Sequence, residues 1–329
     1  MLFSKVADSD TLSWVQSLPK TETHLHLEGA LPYEELHRWK PAEFPRDPDF
    51  LHGEYRFQDF AHFETTLLGH AVPWFTSPER YHETTKAVIQ KLQAQNVHYL
   101  ETSFHIGILE IIGINGEEII DAIKSAVPKD FSLRLFMGMV RNSYQGVGKK
   151  IIDDFPNWSA LDGVDLHGPE DLPLEEWTER AWAEARQAGM EAKAHAGEFG
   201  SVENVRAVLD RLPITRLQHG NAVARDETLM NLVRERDITL DMCPVSNWKL
   251  RATSDWASHP LPRLLKAGVR CTVSTDDPLV IGNTVTDEYL AMAQFLGMSR
   301  EEILQVARNG WIAAKVPEEQ KRKSLEALD

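Results

Sequence analysis

The 329-residue chain contains only two cysteines, Cys243 and Cys271, too few for a disulfide framework in a protein of this length. Both lie in stretches with strand character, where a free cysteine usually packs as a small apolar residue. This usage is typical of a reducing compartment, so we expect a cytoplasmic protein.

Long apolar runs are also missing. The first ten residues, MLFSKVADSD, have no long apolar run after a basic segment, so they do not resemble a secretory signal. No stretch of the sequence approaches the roughly 18 consecutive apolar residues that indicate a membrane span. We therefore expect no membrane partner.

Positive charge is scarce, with 35 Lys and Arg residues against 50 Asp and Glu residues and a net charge of −15. The acidic excess is spread along the chain, and no basic block interrupts it. Such a field repels phosphate backbones, so the sequence argues against a nucleic-acid partner and favours a small neutral substrate. Nothing in the composition indicates an oligomeric state.

Strand-like and helix-like stretches alternate along most of the chain, which favours a parallel sheet with helical crossovers. Eight stretches with strand character are predicted, at residues 21–26, 98–104, 132–140, 163–166, 191–196, 216–219, 239–243 and 270–274. Eight strand–helix units are the count of a (β/α)₈ barrel. We therefore predict an α/β protein with one TIM-like barrel domain over residues 1–329, and a doubly wound sheet is the alternative.

The stretch between the first two predicted strands is longer than one crossover helix needs. Residues 40–57 are rich in Pro and aperiodic, and residues 58–69 have helical periodicity. Ser77-Pro78-Glu79 is a strong helix start, because Ser caps a helix well and Pro is tolerated in its first turn. We therefore predict extra helices between the first and second strands.

Residues suited to metal binding follow four of the predicted strands, and a barrel gathers the carboxyl ends of all its strands at one face. His24 and His26 are two residues apart on a strand, so their side chains point the same way. Three imidazoles and a carboxylate are a common Zn²⁺ ligand set that leaves one position for water. The four fragments contain His24 and His26, His195 and Glu198, His219, and Asp276 and Asp277.

Each fragment taken alone has a plainer explanation. A His-x-His pair on a strand is more often structural, and Glu198 could be an exposed carboxylate at a helix start. His219 could be a fourth imidazole ligand, an unligated catalytic base or a hydrogen-bonded strand-end residue. The Asp276-Asp277 pair could belong to a solvated turn. Their joint position at one end of a barrel favours a hydrolytic metal site.

Two further expectations concern the geometry of this site. Adjacent strand residues face opposite ways, so Asp276 and Asp277 are expected to serve the metal and the substrate separately. Residues 163–168 contain no Lys that could bridge two metal ions, which predicts one Zn²⁺ per chain. His105 and His167 are expected to line the pocket without binding metal.

These residues also resemble the adenosine deaminase family of metal-dependent hydrolases, over about residues 18–314. His24-Leu-His26-Leu-Glu-Gly-Ala resembles the opening metal motif of that family. Four further segments resemble the later signatures of the family in the same order: His195-Ala-Gly-Glu198, Gln218-His219-Gly220, Cys243-Pro-Val-Ser-Asn247 and Ser274-Thr-Asp-Asp-Pro278.

The resemblance implies that His24, His26, His195 and Asp276 hold Zn²⁺, which lowers the pKa of a bound water. It implies that His219 orients this water and takes or shares its proton, and that Glu198 protonates N1 of a 6-aminopurine. Attack at C6 and loss of ammonia would give a 6-oxopurine. Substrate contacts implied by the resemblance are Asp277 to N7, the Gly168 N–H to N3, and lid residues Phe60 and Phe63.

The resemblance does not select one substrate. Glu28 stands where adenosine deaminases usually carry the Asp that meets the ribose 5′-hydroxyl, and Glu28 and Asn247 resemble enzymes of the adenine type. Gly168 and Asp277 resemble the nucleoside enzymes. The sequence analysis favours a nucleoside of the adenosine type, including 5′-modified forms such as aminodeoxyfutalosine, with free adenine as the alternative. A different mononuclear metal hydrolase on the same barrel and a non-catalytic binding protein are less favoured, because the acid Glu198 is present.

Overall fold

The computed structural model describes residues 2–3 and 7–329, and its centre is a single eight-stranded sheet. Every strand pairs in parallel with the next one along the chain, so the spatial order equals the sequence order. The strands are β1 (Lys20–His26), β2 (Val97–His105), β3 (Ser132–Val140), β4 (Gly163–His167), β5 (Glu191–Ala196), β6 (Arg216–His219), β7 (Thr239–Met242) and β8 (Cys271–Val273).

The first and last strands meet through the segment that follows β8. The backbone N–H of His26 donates to the carbonyl oxygen of Asp276 at 3.1 Å, and the N–H of Asp276 donates to the carbonyl oxygen of His24 at 3.0 Å. The sheet thus closes on itself at the carboxyl end of β1. This closure and the all-parallel order confirm the predicted (β/α)₈ barrel and exclude the doubly wound alternative.

Helices fill the connections and cover the outside of the barrel. Three lie between β1 and β2, where the sequence predicts extra helices: α2 (Tyr33–Trp39), α3 (Phe60–Ala71) and α4 (Pro78–Gln93). The others among the described residues are α1 (Ser9–Ser17), α5 (Ile106–Ile112), α6 (Gly116–Ser125), α7 (Gly146–Asp154), α8 (Glu176–Gln187), α9 (Val202–Arg211), α10 (Glu227–Glu235), α11 (Pro244–Lys249), α12 (Leu261–Lys266), α13 (Pro278–Ile281), α14 (Val285–Gln294), α15 (Arg300–Ala313) and α16 (Glu318–Glu326).

Side-chain caps mark where several of the helices begin. Ser201 accepts hydrogen bonds from two backbone N–H groups at the start of α9, whereas Ser77 precedes Pro78 at the start of α4 without a side-chain capping bond. Thr284 and Ser299 each form a reciprocal capping box with an acidic residue three positions on. None of the helices in the described part of the chain is both long enough and apolar enough to cross a bilayer.

The barrel interior below the site contains a buried cluster of charged residues. Arg216 on β6 forms ion pairs with Glu101 on β2, at 2.9 Å from Nη1 to Oε1, and with Asp241 on β7. Lys193 on β5 also pairs with Glu101 and donates to the carbonyl oxygen of Thr23 at 2.8 Å. All five residues are buried. The cluster therefore links β1, β2, β5, β6 and β7 inside the barrel, below the loops that follow the carboxyl ends of these strands.

Replacing Arg216 should destabilise the fold strongly, because two buried carboxylates would lose their shared partner. We expect Arg216→Ala to lower the free energy of unfolding by about 3–5 kcal/mol. Arg236 provides a matched control, because its ion pair with Asp210 is solvent-exposed. Arg236→Ala should change the free energy of unfolding by about 0.5 kcal/mol or less. Urea unfolding followed by circular dichroism measures both, and equal effects would contradict the assigned role of the cluster.

Candidate active site

A cavity opens at the carboxyl end of the barrel, where the polar residues singled out in the sequence converge. His24 and His26 lie at the end of β1, His195 lies near the end of β5, and His219 is the last residue of β6. The lining of the cavity includes His26, Glu28, His195, Glu198, His219, Asp276 and Asp277, together with Gly168 and the α3 residues Phe60, Phe63 and Leu67. All nine predicted site residues thus lie at this end of the barrel, and eight of them line the cavity itself.

Three imidazoles and one carboxylate converge here, and all of them except His24 line the cavity. His24 Nε2 lies 3.0 Å from His195 Nε2, and Asp276 Oδ1 lies 3.5 Å from His24 Nε2 and 3.4 Å from His26 Nε2. His24, His195 and Asp276 are buried. His24 and His26 turn to the same side of β1, as their spacing predicts.

The other ring nitrogen of each imidazole is held by the barrel. A carbonyl oxygen can only accept, so His24 and His195 carry a hydrogen on Nδ1 and present the lone pair of Nε2. This arrangement prepares the rings to bind a cation. The pairs are His24 Nδ1 with the Asp241 carbonyl at 3.0 Å, His26 Nδ1 with Ser103 Oγ at 3.0 Å, and His195 Nδ1 with the Leu166 carbonyl at 2.9 Å.

Three spacings within this group suit a bound cation with room for a water. Two ligand atoms that are each about 2.0–2.2 Å from zinc, at the angles of roughly 90–120° of a five-coordinate site, lie about 2.8–3.8 Å from each other. The 3.0 Å between His24 and His195 and the 3.4–3.5 Å from Asp276 to His26 and His24 fall in this range. The local charge also favours a cation: burial opposes protonation of His26, yet Asp277 and Asp276 raise its pKa to about 10. These four residues could hold a metal ion.

Asp276 and Asp277 do not follow strand geometry. β8 ends at Val273, and Asp276 has a left-handed backbone with a φ of 68°. Both carboxylates line the cavity, so strand alternation does not apply here, and the division of the two between metal and substrate stays a prediction. The reason is the left-handed turn, which breaks the alternation that holds only for extended backbone. Ser246 holds the other oxygen of Asp276 by donating to Oδ2 at 2.7 Å.

Asp277 keeps one oxygen free for a ligand. Among the described residues, no protein group hydrogen-bonds to its buried Oδ1. Gly29 passes directly over this carboxylate: a Cβ at residue 29 would lie 1.7 Å from Oδ1, so a side chain there would displace it. Burial raises the pKa of Asp277 well above its usual value.

Glu198 is buried, which excludes the alternative of an exposed carboxylate at a helix start. Its Oε2 lies 3.4 Å from Nε2 of His219, and its Oε1 accepts a hydrogen bond from Asn247 at 3.0 Å. Burial and the nearby Asp276 raise the pKa of Glu198 well above the ordinary range. A carboxyl group that keeps its proton at neutral pH can act as an acid.

Glu28 lines the cavity from the start of the loop after β1. Its Oε1 accepts hydrogen bonds from the Tyr81 hydroxyl at 2.7 Å and from the backbone N–H of His105 at 3.0 Å. Burial raises its pKa. His105 and His167 also line the cavity, with His105 Nδ1 and His167 Nε2 3.0 Å apart.

Two residues with a clear place in the site were not predicted. The Glu170 carboxylate accepts hydrogen bonds from three successive backbone N–H groups, those of Gly197, Glu198 and Phe199, the last two at 2.8 and 3.1 Å. It therefore ties the loop after β4 to the loop that carries Glu198. Asn247 contacts both Glu198 and His219. Glu170 stands two residues after Gly168 and Asn247 ends a signature quoted above, but neither spacing indicates the contact.

Comparison with known proteins places this site in a family. The family model described as adenosine deaminase matches residues 19–329. An adenine deaminase of Pseudomonas putida (strain GB-1) is 33% identical over 307 residues, which cover 90% of this chain and 97% of that protein. An adenine deaminase of Zymomonas mobilis is 29% identical, with 98% of each chain covered.

Solved structures have the same fold. The crystal structure of an adenine deaminase from Arthrobacter aurescens superposes with a TM-score of 0.85 at 26% identity, covering 94% of this chain and 98% of that one. An amidohydrolase from Burkholderia ambifaria with bound Zn has a TM-score of 0.80 at 21% identity, covering 98% of this chain and 92% of that one, which shows a shared fold. Since the family model covers nearly the whole chain and relatives above 30% identity cover 90% of it, the protein belongs to the adenosine deaminase family, hydrolases that act on carbon–nitrogen bonds.

Proposed function

We propose that this protein is a zinc-dependent adenine deaminase, which converts adenine and water to hypoxanthine and ammonia. The observation that carries the proposal is the similarity along nearly the full length to proteins described as adenine deaminases, at 29–33% identity. The Arthrobacter structure described by the same activity supports it. These relatives favour free adenine, the alternative of the sequence analysis, over the nucleoside that it preferred.

Glu28 gives this choice a physical basis. Free adenine carries an imidazole N–H that a nucleoside replaces with its glycosidic bond, so a buried carboxylate in the cavity can accept a hydrogen that only the base offers. Oε1 of Glu28 is used by Tyr81 and His105, while no described residue donates to Oε2. A polar group of this kind discriminates against ligands that lack its partner.

The metal proposal rests on the geometry of four residues. His24, His26, His195 and Asp276 would hold one Zn²⁺, and the absence of Lys from residues 163–168 argues against a bridged second ion. Zinc bound there would supply an activated water by lowering its pKa. The three imidazoles are already oriented for this purpose by their Nδ1 contacts.

The remaining residues would place and protonate the purine. Glu198, whose pKa is raised, would donate its proton to N1 while the water oxygen adds at C6. His219 would orient the water, Asp277 would hydrogen-bond N7, and the Gly168 N–H would meet N3. The two protons of the water complete the step: one passes to the exocyclic amino group and the other restores Glu198. The bond from C6 to that nitrogen then breaks, the nitrogen leaves as ammonia, and the oxygen stays on C6 as the 6-oxo group.

A substrate panel tests the main proposal. Ammonia release should be measured with adenine, adenosine, 2′-deoxyadenosine, 5′-modified adenosines and AMP at equal zinc content. Because a nucleoside has no imidazole N–H to offer to Glu28, we expect kcat/KM for adenine to exceed that for adenosine by roughly 10²-fold or more. Turnover of a nucleoside without turnover of adenine would contradict the proposal and support the nucleoside assignment.

The acid role of Glu198 is tested by an isosteric change. Glu198→Gln should keep zinc and bind adenine but lower kcat by about 10²–10⁴-fold, because a primary amide cannot protonate N1. Glu203→Gln is a matched control, since Glu203 is exposed on α9, and it should keep wild-type kcat. A near-normal kcat in Glu198→Gln would remove Glu198 from the acid role.

Metal content tests the ligand set without any substrate. His24→Ala should lose most of its bound zinc after dialysis, because the variant lacks one of the four proposed ligands and binds the ion more weakly. His98→Ala is the matched control on β2, where the His98 side chain is exposed. The zinc content per chain of both variants is measured by inductively coupled plasma mass spectrometry. One equivalent of zinc retained in His24→Ala would exclude His24 from the ligand set.

A further inference from the structure

Asn247 on α11 is completely buried and contacts both catalytic side chains through one amide group. Its Nδ2 lies 3.0 Å from Oε1 of Glu198 and 3.1 Å from Nδ1 of His219. Its Oδ1 lies 3.2 Å from Nε2 of His259. Asn247 does not line the cavity, so it acts on the reaction through the residues that do.

The backbone determines the direction of this amide. The N–H of Leu261 donates to Nδ1 of His259 at 3.3 Å, so Nδ1 must be an acceptor. Burial lowers the pKa of His259 to about 3, so the ring is neutral and carries its only hydrogen on Nε2. That hydrogen points at the Asn247 side chain. The amide oxygen must therefore face His259, and the NH₂ group must face Glu198 and His219.

The two hydrogens of the NH₂ group then have one acceptor each. One points to Oε1 of Glu198, so a neutral Glu198 carries its own proton on Oε2, the oxygen 3.4 Å from Nε2 of His219. The other points to Nδ1 of His219, which leaves the ring hydrogen of His219 on Nε2. His219 thus faces the reaction with a donor, while Glu198 faces it with its acidic oxygen.

We propose that Asn247 is a positioning residue that holds the carboxyl group of Glu198 and the imidazole of His219 in one fixed relation, and that His259 sets the direction of its amide. The inference rests on the proposed deamination and extends it to residues that do not touch the substrate. One planar amide joins the acid to the water-orienting residue, so a shift of either would disturb both.

A double-mutant cycle distinguishes positioning from a general structural role. Asn247→Asp keeps the size of the side chain but removes both donors. We expect kcat for adenine to fall by about 10²-fold, with KM changed less than about 3-fold and zinc content unchanged. Because the effect acts mainly through Glu198, it should shrink to a few-fold in the Glu198→Gln background. An equal fold-loss in both backgrounds would overturn the proposal.

His259 offers a second pair of variants that leaves the catalytic groups and Asn247 in place. His259→Leu removes the donor that orients the amide and should lower kcat by about 10-fold. The side-chain N–H of His259→Gln can replace the Nε2–H donor, so this variant should recover most of the lost kcat. Equal losses in the two variants would show that His259 acts only by filling space.

The protonation of His219 provides a readout that needs no substrate. In protein labelled with ¹⁵N-histidine, the His219 signals are identified by their loss in His219→Gln. We expect wild-type Nδ1 to resonate as an unprotonated ring nitrogen, and Asn247→Asp to move the hydrogen onto Nδ1 because a carboxylate can only accept. A protonated Nδ1 in the wild type would overturn the inference. If the expected protonation of His219 is found but the protein does not deaminate adenine, the inference about Asn247 stands and only the proposed function is contradicted.

Discussion

The hydrogen-bonded contact between the end of β1 and the segment after β8 is the constraint on which the rest of the site depends. Two backbone hydrogen bonds join His24 and His26 to Asp276 and close the barrel there. The same contact places the carboxylate of Asp276 within 3.4–3.5 Å of both imidazoles. Fold closure and the proposed metal site thus depend on the same contact, because β1 and the segment after β8 supply three of the four proposed ligands.

Strained backbone and buried charge accompany this arrangement. His219 and Asp276 have left-handed conformations with φ near 60° and 68°, which cost free energy for residues with a side chain. The barrel tolerates them because buried ion pairs of Glu101 and Arg216 below, and hydrogen bonds such as that of Ser246 above, hold the surrounding strands. The strain turns both functional groups toward one cavity.

The proposed acid and the proposed water-orienting residue are organised outside the ligand set. Glu170 binds the loop that carries Glu198, and Asn247 connects Glu198 to His219. Glu170 and Asn247 can therefore affect turnover without touching the purine, because they hold the residues that do. Substrate choice is a separate matter, which we assign to Glu28 because its free oxygen can accept the N–H that distinguishes adenine from a nucleoside.

The sequence by itself determined the barrel, and it singled out nine residues that the structure brings to one end of that barrel. Alternating strand and helix patterns predict eight parallel strands, and the His24-x-His26 spacing places two imidazoles on one face, because both follow from local backbone periodicity. Only the tertiary structure decided how the groups face one another. The left-handed turn at Asp276 and the amide of Asn247 depend on contacts between segments distant along the chain. Such contacts leave no periodic signal, so residues that position others were found only after the chain was folded.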